Sequence, residues 1–114
     1  MRSGPILAIV GALIVGALAG GWSAEAAGAT ATRAQARGVL KSARCDQCHD
    51  SSVSSENARA LDVYDLVEAD WPSRMTEKQL PKLLTRLKSA PPADQKIVRE
   101  FIAAELKGRV AAGR

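Results

Sequence analysis

Apolar positions are distributed along this chain in two ways. From Ile6 to Ala19 they form a run broken only by glycine. After Ala26 they recur at intervals of three and four, the period of helices buried on one side. Ala31–Ala43 is rich in alanine, arginine and glutamine, all good helix formers, with Thr30 or Thr32 placed to cap it and Val39 and Leu40 available for burial. Gly38 in its interior weakens the helix while permitting close packing. Residues 50–57 are polar and read as a loop. A short helix is expected over about 57–68, capped by Ser54 or Ser55, with Ala58, Leu61, Tyr64, Leu66 and Val67 for its buried side. Trp71-Pro72 interrupts the pattern. Thr76 and Gln79 then have the spacing of a capping box, ahead of Leu80, Leu83, Leu84 and Leu87. Ser89-Ala90-Pro91-Pro92 ends that helix, and a last one is expected over 93–107. It carries Ile97, Val98, Phe101, Ile102 and Leu106 on one side, an i,i+4 pair of Lys96 with Glu100, and Gly108 as its C-terminal cap. A strand near Val63 is the alternative for the 57–68 stretch, and no convincing sheet accompanies it. The expected fold is all-α, a small domain of three to four helices.

The N-terminal run changes the domain count. Met1-Arg2 is a positive start, the apolar run follows, and Ala24-x-Ala26 has the small-residue spacing of a signal-peptidase site. Residues 1–26 therefore read as a signal peptide, leaving 27–114 as the folded domain, with residues 27–30 as an irregular leader. The rival reading is a retained membrane anchor through residues 3–24, since 22 uncharged residues reach across ~30 Å of hydrocarbon. Either way the domain is exported: periplasmic, or anchored to the outer face of the cytoplasmic membrane. Apolar residues make up 46% of the chain but aromatics only 4%, and beyond the leader these are Tyr64, Trp71 and Phe101. So short a domain with so few bulky side chains has a thin core of its own.

The net charge is +4 and is unchanged when Arg2 and Glu25 leave with the leader. Arg33, Arg37, Lys41 and Arg44 fall on one helical face. That stripe is either a solvated surface or a docking face for an acidic partner or anionic lipid. Nucleic-acid binding is not expected, as the chain carries no motif for it.

The chemistry concentrates in Cys45-Asp46-Gln47-Cys48-His49, which holds both cysteines and the single histidine. C-x-x-C-H is the attachment signature for c-type haem: two thiols three positions apart reach the two vinyl groups, and the next residue supplies an imidazole to the iron. A thioredoxin-like dithiol needs a βαβ setting, a structural zinc needs four ligands, and a plain disulfide has no use for the histidine.

With this motif, a helix leading directly into it and a C-terminal helix, the chain resembles small monohaem c-type cytochromes of the class I type. The segment Met75–Lys88 is similar to the helix that follows the distal methionine in that family. The resemblance implies one covalent haem c per chain, thioether bonds at Cys45 and Cys48, His49 as proximal iron ligand, and one-electron transfer to redox partner proteins rather than enzymatic turnover. Met75 is the leading distal ligand; the competing role for it is packing, as a hydrophobic staple with Leu80. A lysine or Tyr64 would be the substitute ligand, and Tyr64 and Trp71 are expected to line the haem pocket. The alternative function is a haem-based small-ligand binder or sensor with an open distal site. A peroxidase-like enzyme ranks last, since no distal histidine and no arginine placed for acid–base work on peroxide can be assigned.

Overall fold

The computed structural model describes residues Ala24–Gly113. The apolar run and the charged start of the leader lie outside the described residues. In order come α1 (Ala24–Ser42), α2 (Asp46–His49), α3 (Ala58–Val63), a 3-10 turn (Trp71–Arg74), α4 (Lys82–Thr85) and α5 (Pro92–Ala111). The domain is all-α, with no strand among the described residues. Nor is any helix among them long and apolar enough to cross a membrane.

Helices α1 and α5 are the two long elements and form the largest helix–helix contact. Ala36, Val39 and Leu40 of α1 meet Val98, Phe101 and Ile102 of α5 in one buried cluster, which continues through Leu66, Trp71, Leu80, Leu83 and Leu87. Trp71 stacks on Phe101 with ring centroids 5.0 Å apart, and its indole N–H donates to the Arg33 carbonyl. A buried ion pair joins the same helices: the Arg33 guanidinium donates to both oxygens of Glu105, which is 5% exposed, at 2.8 and 3.2 Å. A fork-to-fork pair of this kind fixes angle as well as distance.

Several sequence expectations hold. The Thr76 N–H donates to the Gln79 side chain at 2.8 Å and the Gln79 N–H to the Thr76 hydroxyl at 3.1 Å, a reciprocal capping box. Met75 and Leu80 flank it and are both buried, as a staple requires. Lys96 and Glu100 pair at 4.0 Å.

Others are corrected. Residues 27–30 belong to α1, which puts Thr30 and Thr32 inside the helix rather than at its start. The cap of α3 is Asn57, whose side chain accepts from the Ala60 N–H; Ser54 instead accepts from Glu56 within the preceding turn. That helix stops at Val63 because Tyr64 is extended, so Tyr64 and Leu66 are buried from a loop while Val67 is exposed. Between the capping box and α5 only Lys82–Thr85 is α-helical, and it starts at Pro81, as the position of that proline one turn into the leucine-bearing segment leads one to expect. Gly108 is not a cap: α5 runs on to Ala111, and the left-handed residue is Gly113, at φ 75°. Gly38 permits no close approach, for a Cβ built there meets nothing within 4 Å.

Arg44 leaves the basic stripe altogether. It is left-handed, at φ 67°, immediately after α1. The Cys45 N–H donates to the Leu40 carbonyl at 2.9 Å and the Arg44 N–H to Lys41 at 3.0 Å, the two bonds of a Schellman motif. A glycine usually fills that position, since a side chain there costs about 1 kcal/mol.

Asp65 holds the following loop. Burial pushes its carboxyl pKa up, but hydrogen bonds from Ser51 and the Val67 N–H, with the charge of Arg74, outweigh that and leave it below the ordinary value. A carboxylate with a lowered folded-state pKa stabilises the fold above its unfolded pKa of about 3.9, and that stability is lost as the pH falls through the folded value.

Gly38→Ala is expected to raise stability by about 0.5–1 kcal/mol, and Arg44→Gly by up to about 1 kcal/mol, in urea melts of the full chain. Phe101→Ala is expected to lower it by about 3–5 kcal/mol. Between about pH 5 and about pH 3, Asp65→Asn should flatten the acid limb of the stability curve relative to the unsubstituted chain; two parallel curves would show that Asp65 is not responsible.

Candidate functional site

The end of α1 aims the chemistry. The Schellman motif turns the chain so that Cys45 packs beside the core at the helix end and becomes the N-cap of α2, which carries Cys48 and His49 one turn on. Cys45 is half-buried, Cys48 exposed, and both are free thiols. One turn of helix places the two sulfur-bearing residues and the imidazole on adjacent positions of a fixed frame.

His49 is held at three points. Its carbonyl accepts from the Leu66 N–H at 2.6 Å. Its ring lies flat on that of Tyr64, with centroids 3.8 Å apart and planes 7° from parallel. Its Nδ1 is 3.2 Å from the Tyr64 carbonyl. A carbonyl can only accept, so this contact is a hydrogen bond when Nδ1 carries the proton, which leaves the Nε2 lone pair for a metal. The loop making these contacts is stitched to the motif from the other side: the Asp65 carboxylate accepts from the N–H groups of Ser51 and Val67. Buried Asp50 accepts from the N–H and hydroxyl of Ser52 and lies 3.8 Å from the Lys41 ammonium.

The four residues singled out from sequence converge. Cys45, Cys48, His49 and Met75 all line one cavity of about 610 Å³. Ala60, Val63, Tyr64 and Leu83 supply apolar and aromatic wall, and Arg59, Lys82 and Arg86 supply three exposed cations; no acidic residue lines it. Met75 is 3% exposed. Of the two aromatic residues expected at the pocket, only Tyr64 is there. Trp71 sits behind it, tilted against Tyr64 at 5.5 Å and stacked on Phe101 in the core. Tyr64 stands on the histidine side, so its ring supports His49. Burial pushes the Tyr64 hydroxyl well above its ordinary pKa, and the neighbouring Cys45 adds to the rise. Burial likewise pushes the Cys45 thiol up, only partly offset by a hydrogen bond with Tyr64.

These features separate the candidate chemistries. A dithiol redox site works through a thiolate of lowered pKa and is set beside a strand. Here the Cys45 thiol shifts upward, and the described residues contain no strand. Among the described residues no group of three or more His, Cys, Asp or Glu side chains is arranged to hold a bare metal ion. The donor set fits a haem c: two thiols, one imidazole with its second nitrogen tied to a carbonyl, a buried thioether, an apolar wall and cations for the carboxylates.

The basic stripe, by contrast, is split. Arg33 is paired with Glu105; Arg37 donates to the Glu68 carbonyl at 2.7 Å with its Nε buried and unpartnered; Lys41 lies beside Asp50; and Arg44 is off the helix. Arg33 and Arg37 are thus engaged within the fold, whereas Lys41 and Arg44 are exposed. The residues that sequence reasoning passed over are Arg109 and Glu105. Both are charged residues of an amphipathic helix, and nothing in their spacing marks them as buried. Comparison of the chain with family models, with curated proteins and with solved structures returned no match.

Proposed function

We propose that the cavity is the site of a covalently bound haem c and that the domain is a one-electron carrier. The observation that carries this reading is the convergence of Cys45, Cys48, His49 and Met75 on one cavity, in a chain with no other cysteine or histidine. Cys45 and Cys48 would form the thioether bonds, and His49 and Met75 would hold the iron. When bound, the haem supplies the Fe(III)/Fe(II) couple, which takes up and gives back one electron with no other chemistry on the chain.

The protein's own residues set the conditions. The Tyr64 carbonyl holds the His49 ring in one tautomer and one orientation, so ligation requires no ring rotation. The Met75 thioether, buried at 3% exposure, would favour the reduced state and raise the potential. Met75 lines the same cavity as His49, which supports electron transfer through a two-ligand iron ahead of small-ligand sensing. Exposed Cys48 gives the cavity a solvent edge, at which a bound haem would be open to a redox partner. Arg59, Lys82 and Arg86 surround that space. Two propionate carboxylates would offset two of these charges, and the surplus suits an acidic redox partner docking at the cavity rather than on the α1 stripe.

A haem in the cavity would add apolar surface to a thin core, so folding and cofactor attachment are coupled in this reading. Full-length protein made with a haem-attachment system should stain for haem on a denaturing gel, and Cys45→Ser/Cys48→Ser should not. The same double variant should lose cooperative unfolding; a sharp native-like transition without haem would break the coupling. Ferrous protein should bind carbon monoxide slowly and Met75→Ala rapidly, while rapid binding by the unsubstituted protein would transfer the assignment to the open-site sensor.

A further inference from the structure

We propose that Arg109 is a positioning residue for Met75: its buried guanidinium, reaching in from α5, fixes the backbone that presents the thioether to the cavity. The role of Met75 rests on the haem reading above, whereas the contact of Arg109 is independent of it. Nη1 of Arg109 donates to the Met75 carbonyl at 2.6 Å, and Nη2 donates to the Pro72 carbonyl at 2.9 Å. The side chain is 9% exposed, and among the described residues no carboxylate pairs with it. A buried cation without a counter-ion is costly, so its place is defined by the two carbonyls it satisfies.

Those carbonyls are at the end of the 3-10 turn, where the backbone dipoles leave negative charge. The Pro72 carbonyl also accepts the Met75 N–H at 3.0 Å, so Arg109 grips both ends of the bond that closes the turn. The next residue, Thr76, is held by the capping box with Gln79. Met75 is thus clamped on both sides, where it lines the cavity, by groups that make no use of its own side chain. A planar fork with two parallel donors is needed to reach two carbonyls at once; a lysine ammonium keeps the charge but not the fork.

The test uses the full haem-loaded chain and compares Arg109→Lys, Arg109→Gln and Met75→Ala. The first readout is the methionine-to-ferric-iron charge-transfer band, the second the rate of carbon monoxide binding to the ferrous protein, and the third the helical signal and its thermal transition. Arg109→Lys is expected to keep the helical signal and a cooperative transition while weakening the band and speeding carbon monoxide binding at least tenfold, with Arg109→Gln going further in the same direction. If both Arg109 variants melt earlier but keep the full band and the original binding rate, the contact is structural only and the proposal fails while Met75 ligation stands. If Met75→Ala itself leaves band and rate unchanged, Met75 is not the ligand and the positioning role falls with it. Should Arg109→Gln not fold, Arg109→Lys decides alone.

Discussion

Everything in this small domain hangs on the packing of α1 against α5. The two helices share a buried cluster around Phe101 and Trp71 and are locked in angle by the Arg33–Glu105 pair. Each then carries one half of the candidate site. The end of α1 delivers Cys45 and the motif behind it through the Schellman turn, and α5 delivers Arg109 to the backbone of Met75. The separation between imidazole and thioether is consequently a property of a helix–helix interface. Rigid elements hold a site more closely than loops do, and here His49 sits on α2 while the backbone of Met75 is tied back to α5 by a hydrogen bond.

The buried charges share one task. Glu105, Arg109, Asp50 and Asp65 are each satisfied by backbone groups or by one partner within the domain. None of them lines the cavity, whose charged residues are the exposed cations Arg59, Lys82 and Arg86. The molecule thus separates charge used for architecture, taken up inside the fold, from charge available to a ligand or partner, gathered around one opening. The α1 arginines, which look like surface in one dimension, belong to the first group.

What the sequence revealed follows the range of the interaction. The capping box of Thr76 and Gln79 was legible because both bonds close within four residues. The apolar stripe of α5 was legible because burial on a helix has a period. The chemical identity of Cys45, Cys48 and His49 was legible because their spacing is the signal. The rest depends on partners far along the chain. Arg109 meets a carbonyl 34 residues away and Arg33 a carboxylate 72 away, so no local window distinguishes them from solvated charges. Tyr64 reads as a helical residue by pattern, yet it is extended because its carbonyl and ring are needed by His49. Arg44 was hidden for the opposite reason: its left-handed backbone is local, but the residue that normally signals it is glycine, and glycine stands instead at Gly38, where nothing requires it.

The distance in sequence between α1 and α5 also orders events in time. A chain made from its N-terminus presents Cys45, Cys48 and His49 long before α5 exists to cover the core behind them. During that interval α1 has no partner, the clasp on Met75 has not been made, and the thiols stand open to modification from every side. Completion of α5 then closes both halves together, since Glu105 and Arg109 lie one turn apart on the same helix. The last long helix therefore acts as a latch on the history of the chain: chemistry that needs a loose, accessible motif belongs before it, and a motif held in one geometry belongs after it.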